Sequence, residues 1–220
     1  MTEHPDRKCI KRLMKKGLIP AFIIIAAALA LLLSLFLSDR HKGESRIEGL
    51  AYYESVFPED SYHAYLQGED AWGGYKLGDS RDTMRGSGCL TCCIAASLNA
   101  QGVYDYTPGE LNQVFNDNHV YNENGAIVWD SLEKALPQAG VELDRKTSSE
   151  SINRLLEEGK YPIVKVKRQS GAVHWIMLTG TEKETYDIIA MDPIDGRVHM
   201  SDYGSRIYGV RVVTGAALHE

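Results

Sequence analysis

The chain has 220 residues, of which 44% are hydrophobic and 25% charged, and its formal net charge is −6. This balance is typical of globular proteins, so it excludes wholesale disorder and fibrous repeats. An acidic chain is not expected to bind nucleic acid, because proteins that do so carry a basic surface. Three of the four cysteines cluster within residues 89–93, which is not the spacing of a disulfide framework.

The N-terminal residues divide by charge into a basic tail and an apolar run. Residues 1–16 hold six Lys or Arg side chains against two acidic ones, and residues 17–38 hold no charge. The run from Leu18 to Leu37 would span roughly 30 Å as a helix, which is the hydrocarbon thickness of a bilayer. We predict a transmembrane signal anchor at 17–38, with the tail 1–16 in the cytoplasm and the remainder outside. A cleaved signal peptide is the alternative, although its apolar region is normally about 7–15 residues.

The rest of the chain predicts a stalk over 39–61, where no periodicity is evident, and a folded domain over 62–217. Helical signals in that domain lie at 89–100, 108–115, 127–136 and 149–159. Segments rich in β-forming residues lie at 161–166, 174–179, 186–191 and 208–213. A polar turn at 180–185 predicts that the second and third of these form a hairpin. Helices followed by antiparallel strands predict an α+β domain.

Cys89 is a candidate nucleophile because of its position. It follows the turn Gly86-Ser87-Gly88 and begins an apolar helix. At a helix N-terminus, the dipole and the unpaired N–H groups favour a thiolate. The same N–H groups can stabilise a developing oxyanion. The alternative is a buried cysteine that packs as a small hydrophobic side chain.

His174 and Asp192 are candidates for the base and its orienting carboxylate. His174 opens an apolar strand, and imidazole is poised to exchange protons near neutral pH. Asp192 ends the strand YDIIAM, and pairing of the two strands in a hairpin would place it beside His174. A carboxylate there would fix the imidazole tautomer and stabilise its charged form. Each residue also has an ordinary interpretation, as a strand-end histidine and as a turn aspartate.

Four blocks of sequence carry a resemblance to a known family. They are LQGEDAWGGYKLGDSRDTMRGSGCLTCCIAASL, LLEEGKYPIVKVK, AVHWIMLTG and YDIIAMDPIDG. In this order they resemble the peptidase family C-thirty-nine-like domains, relatives of the double-glycine peptidases that process bacteriocins, over about residues 62–213. The resemblance implies a papain-like cysteine proteinase fold, with Cys89 as nucleophile, His174 as base and Asp192 as its partner. It implies a peptide or protein substrate and no metal or organic cofactor.

The sequence departs from the family pattern around the nucleophile. Leu90-Thr91-Cys92 stands where Gly-Pro-Thr often follows, and residues 81–88 lack the oxyanion-hole glutamine of the processing peptidases. Gln67 is the nearest upstream glutamine and our candidate oxyanion donor. Loss of such a donor typically lowers the rate by about 10²–10³. A catalytically inactive peptide-binding module is therefore an alternative to a membrane-anchored extracellular cysteine peptidase.

Cys92 and Cys93 allow a third hypothesis. The spacing Cys89-x-x-Cys92 would suit a thiol–disulfide oxidoreductase, in which one thiol attacks and the other resolves. The βαβ pattern that usually accompanies that motif is absent. We interpret both cysteines as small core residues, and the three tryptophans as core side chains as well.

Overall fold

The computed structural model describes residue 25, residues 44–142 and residues 148–215. The predicted basic tail and, apart from Ile25, the predicted membrane anchor lie outside these residues. Within the described part of the chain, no helix combines the length and the apolar character needed to cross a membrane. Residues from Glu44 onward form a compact unit of their own.

The described residues form five α-helices: α1 (Met84–Ser87), α2 (Cys89–Ala100), α3 (Pro108–Asp117), α4 (Trp129–Ala135) and α5 (Ser149–Glu157). The four predicted helical segments correspond to α2–α5, whereas α1 was not predicted. Capping explains where two of them begin. Thr107 and Glu110 form a reciprocal capping box on α3, and the Ser148 side chain accepts a hydrogen bond from the N–H of Ser151 on α5.

The strands are β1 (Ser45–Arg46), β2 (Ala139–Glu142), β3 (Ile163–Lys167), β4 (Val173–Thr181), β5 (Ile188–Asp192), β6 (Gly196–His199), β7 (Arg206–Ile207) and β8 (Val210–Gly215). Five of them form an antiparallel sheet in the order β8-β3-β4-β5-β6; β2 pairs with β8, and β1 pairs separately with β7. The four predicted strands correspond to β3, β4, β5 and β8. The predicted hairpin is formed by β4 and β5, so the architecture is α+β.

The sheet separates two hydrophobic clusters. On one face, buried residues of α2 such as Ile94 and Leu98 share a cluster with Met177 and Met191. The other cluster joins Ile152 and further residues of α5 to the opposite-facing side chains of the strands. Helix α2 is therefore held against the sheet, and its N-terminus is positioned by the core.

Residues 44–61 differ from the predicted stalk, because they pack onto the domain. Ile47 is completely buried, although its neighbours follow no helical or strand period. Further along, Ser55 lies so close to β4 that a β-carbon at Gly180 would be 2.7 Å from its Cα. The folded domain thus begins at Glu44, and the remainder of the predicted stalk, 39–43, lies outside the described residues.

Candidate active site

Cys89 is the first residue of α2, and Gly88 is its N-cap. Because α1 ends at Ser87, the chain turns sharply between two helices at this glycine. A β-carbon at Gly88 would lie 2.5 Å from the carbonyl oxygen of Met84, so another side chain would not fit without a shift of the backbone. Cys89 is half-buried, and the N–H groups of the first helical turn have no partner within the helix.

His174 and Asp192 form a buried hydrogen-bonded pair at adjacent strand ends. His174 is the second residue of β4, and Asp192 is the last residue of β5. The Nε2–H of His174 donates to Oδ1 of Asp192 over 2.8 Å. His174 is only 3% exposed and Asp192 is 0% exposed, so bulk water does not compete for this hydrogen bond.

The pKa values of the pair reflect mutual stabilisation of charge. Burial alone would lower the pKa of His174, but hydrogen bonds and charge interactions with Asp192 and Cys89 raise it to about 9. Burial also opposes ionisation of Asp192, yet hydrogen bonds from His174, Tyr203 and the Ile194 N–H lower the pKa of this carboxyl below its usual value. At neutral pH the pair is therefore favoured as an imidazolium and a carboxylate.

The imidazole of His174 is close to the thiol as well as to the carboxylate. Cys89 lines the same cleft, and its side chain contributes to the raised pKa of His174. Because Nε2 is occupied by Asp192, Nδ1 is the ring nitrogen that remains for Cys89. The structure thus brings the three predicted residues together, in the order thiol, imidazole, carboxylate.

Gln67, the candidate oxyanion donor, also lies at the site. It is 5% exposed and lines the same cleft as Cys89. Its backbone N–H donates to the carbonyl oxygen of Pro193 over 2.8 Å. Its side-chain Nε2 donates to the carbonyl oxygen of Arg85 over 2.7 Å, and its Oε1 has no hydrogen-bond partner among the described residues. The side-chain amide is held in the cleft through one of its two N–H groups.

A cleft of ≈ 530 Å³ contains both Cys89 and His174. Large apolar side chains form much of its lining, namely Leu90, Tyr121, Ile127, Trp129, Trp175 and Ile194. Two of the tryptophans that we had interpreted as core are therefore half-buried in the cleft wall. The guanidinium carbon of Arg211 lies 5.4 Å from the ring centroid of Trp129 and 5.7 Å from that of Trp175. Apolar walls with a few convergent polar groups are typical of ligand-binding sites.

Two residues that contact Asp192 were missed by the sequence analysis. The Tyr203 hydroxyl donates to Oδ2 of Asp192, and Nη1 of Arg168 lies 3.6 Å from the same oxygen. Tyr203 lies in a 3-10 helix that carries no sequence motif, and Arg168 lies just beyond the end of β3. No local signal marks either residue, because their proximity to Asp192 arises from the packing of separate elements.

Cys92 and Cys93 are core side chains, as predicted. Both are free thiols and completely buried. Burial, followed by the proximity of Cys89, raises the pKa of both thiols well above the usual value. The Cys93 thiol donates to the carbonyl oxygen of Trp175 over 3.4 Å. A protonated, inaccessible thiol is poorly suited to thiol–disulfide exchange.

No protein-family model matches the chain, and no curated protein matches its sequence. Among residues 44–142 and 148–215, no group of three or more His, Cys, Asp or Glu side chains is arranged to hold a metal ion.

Proposed function

We propose that this protein is a membrane-anchored extracellular cysteine peptidase of papain-like fold that hydrolyses peptide amide bonds. The observation that carries the proposal is the buried Asp192–His174 pair, which shares a cleft with a thiol at a helix N-terminus. The order of elements, with the nucleophile helix preceding the antiparallel sheet, supports the fold. The uncharged run 17–38 behind a basic tail supports the anchor and the extracellular location of the domain.

In the acylation step, the Cys89 sulfur attacks the carbonyl carbon of the substrate amide while His174 holds the proton of the thiol. The tetrahedral intermediate then collapses, the C–N bond breaks, and His174 gives that proton to the leaving amine. In the second step, water attacks the thioester and gives a proton to His174. The carboxylic acid product leaves, and Cys89 is regenerated. Asp192 orients the imidazole and stabilises its positive charge throughout.

Two donors are available for the oxyanion of each intermediate. One is the backbone N–H of Cys89, which has no partner within the helix. The other is Gln67, whose Nε2 donates one hydrogen to Arg85 and retains a second. The location of Gln67 in the cleft supports this assignment. The apolar cleft walls favour peptides with apolar side chains near the scissile bond.

The alkylation rate of Cys89 in the full-length protein tests the thiol–imidazole pair. Iodoacetamide is added at pH 6, and modification is measured by mass spectrometry of the peptide that contains Cys89. We expect alkylation to be at least roughly tenfold slower in His174→Ala, because the proposed thiolate loses the neighbouring imidazolium that would stabilise it. His63→Ala, which changes an exposed histidine, is the matched control. Equal rates in wild type and His174→Ala would contradict the peptidase proposal and favour a peptide-binding module.

Hydrolysis of a peptide library then tests the reaction itself. Cys89→Ala is expected to abolish cleavage. Gln67→Ala is expected to lower turnover by about 10²–10³ and to leave the alkylation rate unchanged, since alkylation by iodoacetamide forms no oxyanion. Cleavage that persists in Cys89→Ala would exclude the proposed nucleophile.

A further inference from the structure

The two oxygens of Asp192 have separate partners. Oδ1 accepts from His174 Nε2 over 2.8 Å and from the backbone N–H of Ile194 over 2.6 Å. Oδ2 accepts from the Tyr203 hydroxyl and faces the guanidinium of Arg168 at 3.6 Å. One oxygen thus contacts the imidazole, while the other is bound by two side chains outside the proposed triad.

Tyr203 is held by a short helix that backbone hydrogen bonds close. It ends the 3-10 helix Met200–Tyr203, which Gly204 closes in the left-handed conformation at φ 62°. The N–H of Ser205 donates back to the carbonyl oxygen of Met200 over 2.8 Å, and Met200 itself is buried. Burial, followed by the negative charge of Asp192, raises the pKa of the Tyr203 phenol, so it remains a protonated donor.

Arg168 approaches Asp192 from the turn between β3 and β4. Its backbone N–H donates to the carbonyl oxygen of Ala172 over 3.0 Å, which closes the turn. Its Nη2 pairs with Asp195 Oδ2 at 3.0 Å, which fixes the guanidinium. Nη1 is buried and makes no hydrogen bond among the described residues, so its contribution at Oδ2 is a charge and not a second donor.

We propose that Tyr203 and Arg168 are positioning residues, which hold Oδ2 of Asp192 so that Oδ1 remains aligned with His174. This inference rests on the proposed function. The terminal torsion of a carboxylate has a broad energy profile. Without partners on Oδ2, the orientation of Asp192 would depend on the hydrogen bonds to Oδ1 alone. A buried carboxylate oxygen with no partner is also unfavourable, which promotes rearrangement.

Tyr203→Phe tests the role of the hydroxyl, because it keeps the ring. In the full-length protein at pH 6, we expect iodoacetamide to alkylate Cys89 roughly tenfold more slowly than in the wild type, the effect typical of one hydrogen bond to a charged group. Tyr75→Phe, which changes a tyrosine that is 48% exposed, is the matched control. Arg168→Met is expected to slow alkylation as well, and Arg168→Lys to recover part of the rate because it retains the charge.

A double-mutant cycle distinguishes positioning from general loosening of the domain. If Tyr203 acts through Asp192, Tyr203→Phe changes the rate by less than about twofold in an Asp192→Asn background. Equal slowing in both backgrounds, or an unchanged rate in the wild-type background, would overturn the inference. A rate that depends on His174 but not on Tyr203 overturns this inference alone. A rate independent of His174 overturns the proposed function, and the inference with it.

Discussion

Asp192 and His174 share one face of the sheet because β4 contains an extra residue. The register between β4 and β5 shifts between Leu178 and Gly180, which leaves Thr179 without a cross-strand partner of its own. Side chains alternate between the two faces along each strand. A one-residue change of register therefore reverses which β5 side chains share a face with a given residue of β4. The position of the carboxylate relative to His174 thus depends on the bulge at Thr179, which lies five residues after His174 along β4.

The registers on the two sides of the bulge show this dependence. Met177 pairs with Met191, so the next residue, Asp192, falls opposite Ile176 and on the face of His174. The register beside the hairpin turn, extended without the extra residue, would instead pair Met177 with Asp192. The carboxylate would then point to the opposite face and could not reach the imidazole.

The bulge is stabilised by the segment that precedes the predicted domain. The N–H of Val56 donates to the carbonyl oxygen of Thr179 over 3.1 Å. The Thr179 hydroxyl lies 3.0 Å from the hydroxyl of Tyr62 and donates to the carbonyl oxygen of Ile189 over 3.2 Å. Residues 44–61, together with Tyr62 in the 3-10 helix Glu59–Tyr65, therefore support the register on which the candidate site depends.

Gly180→Ala is expected to disturb this arrangement. A β-carbon there would lie 2.7 Å from both Ser55 Cα and the Tyr53 carbonyl oxygen. Overpacking of this kind costs about 1–3 kcal/mol, so urea denaturation should show a loss of that size, together with slower alkylation of Cys89. Gly74→Ala is the control, because nothing lies within 4 Å of its β-carbon. Equal stability of the two variants would argue against close packing of the segment on β4.

Ile47→Ala tests whether the N-terminal segment belongs to the folded domain. Ile47 is completely buried, so its truncation should lower the free energy of unfolding by about 2–5 kcal/mol. Leu50→Ala removes a side chain that is 53% exposed and should have little effect. Urea titrations of both variants make the comparison. Similar small losses would indicate that the segment is a stalk after all.

The raised pKa of His174 predicts a pH-dependent contribution to stability. The folded-state pKa of His174, about 9, exceeds the ordinary value of 6.5. Its contribution to the free energy of unfolding is therefore complete below pH 6.5, where the imidazole is protonated in both states. This contribution is lost as the pH rises through about 9. Compared with His174→Gln, the wild type should therefore lose on the order of 3 kcal/mol between pH 6 and pH 10. A difference in unfolding free energy that does not change with pH would contradict the ion pair.

Thiol labelling distinguishes the peptidase proposal from an oxidoreductase. In the native protein at pH 8, Cys89 should react with iodoacetamide while Cys92 and Cys93 remain unmodified, because burial excludes the reagent and raises the pKa of both thiols. All three should react in concentrated urea. Mass spectrometry of the digested protein gives the extent at each position. If Cys92 in the native protein reacted as fast as Cys89, the result would favour the oxidoreductase hypothesis.

Tyr121 connects the nucleophile helix to α3. Its hydroxyl lies 2.8 Å from the Thr91 hydroxyl and donates to Asn112 Oδ1 over 2.9 Å, and all three residues are buried. Tyr121→Phe leaves the two partners unsatisfied, so we expect the free energy of unfolding to fall by about 1–3 kcal/mol. The exposed Tyr75→Phe should be neutral. An unchanged denaturation midpoint in Tyr121→Phe would show that the network adds nothing to stability.

Much of the architecture could be predicted from local sequence patterns. Hydrophobic periodicity and capping residues predicted α2–α5, and runs of β-forming residues predicted four strands and the β4–β5 hairpin. These features depend on neighbouring residues, whose preferences are visible within a short window. The position of Cys89 at a helix start followed from the same reasoning.

The remaining features depend on contacts between distant parts of the chain. The segment 44–61 shows no periodicity and buries only Ile47 completely, and the bulge at Thr179 is held by residues more than a hundred positions earlier. Tyr203 reaches Asp192 from a 3-10 helix and Arg168 from a turn between strands, with no motif to mark them. Cys89, His174 and Asp192 could therefore be identified as candidates from their positions in predicted helices and strands. Their contact depends on strand register and on packing across the sheet, because a one-residue slip would turn the carboxylate away from the imidazole.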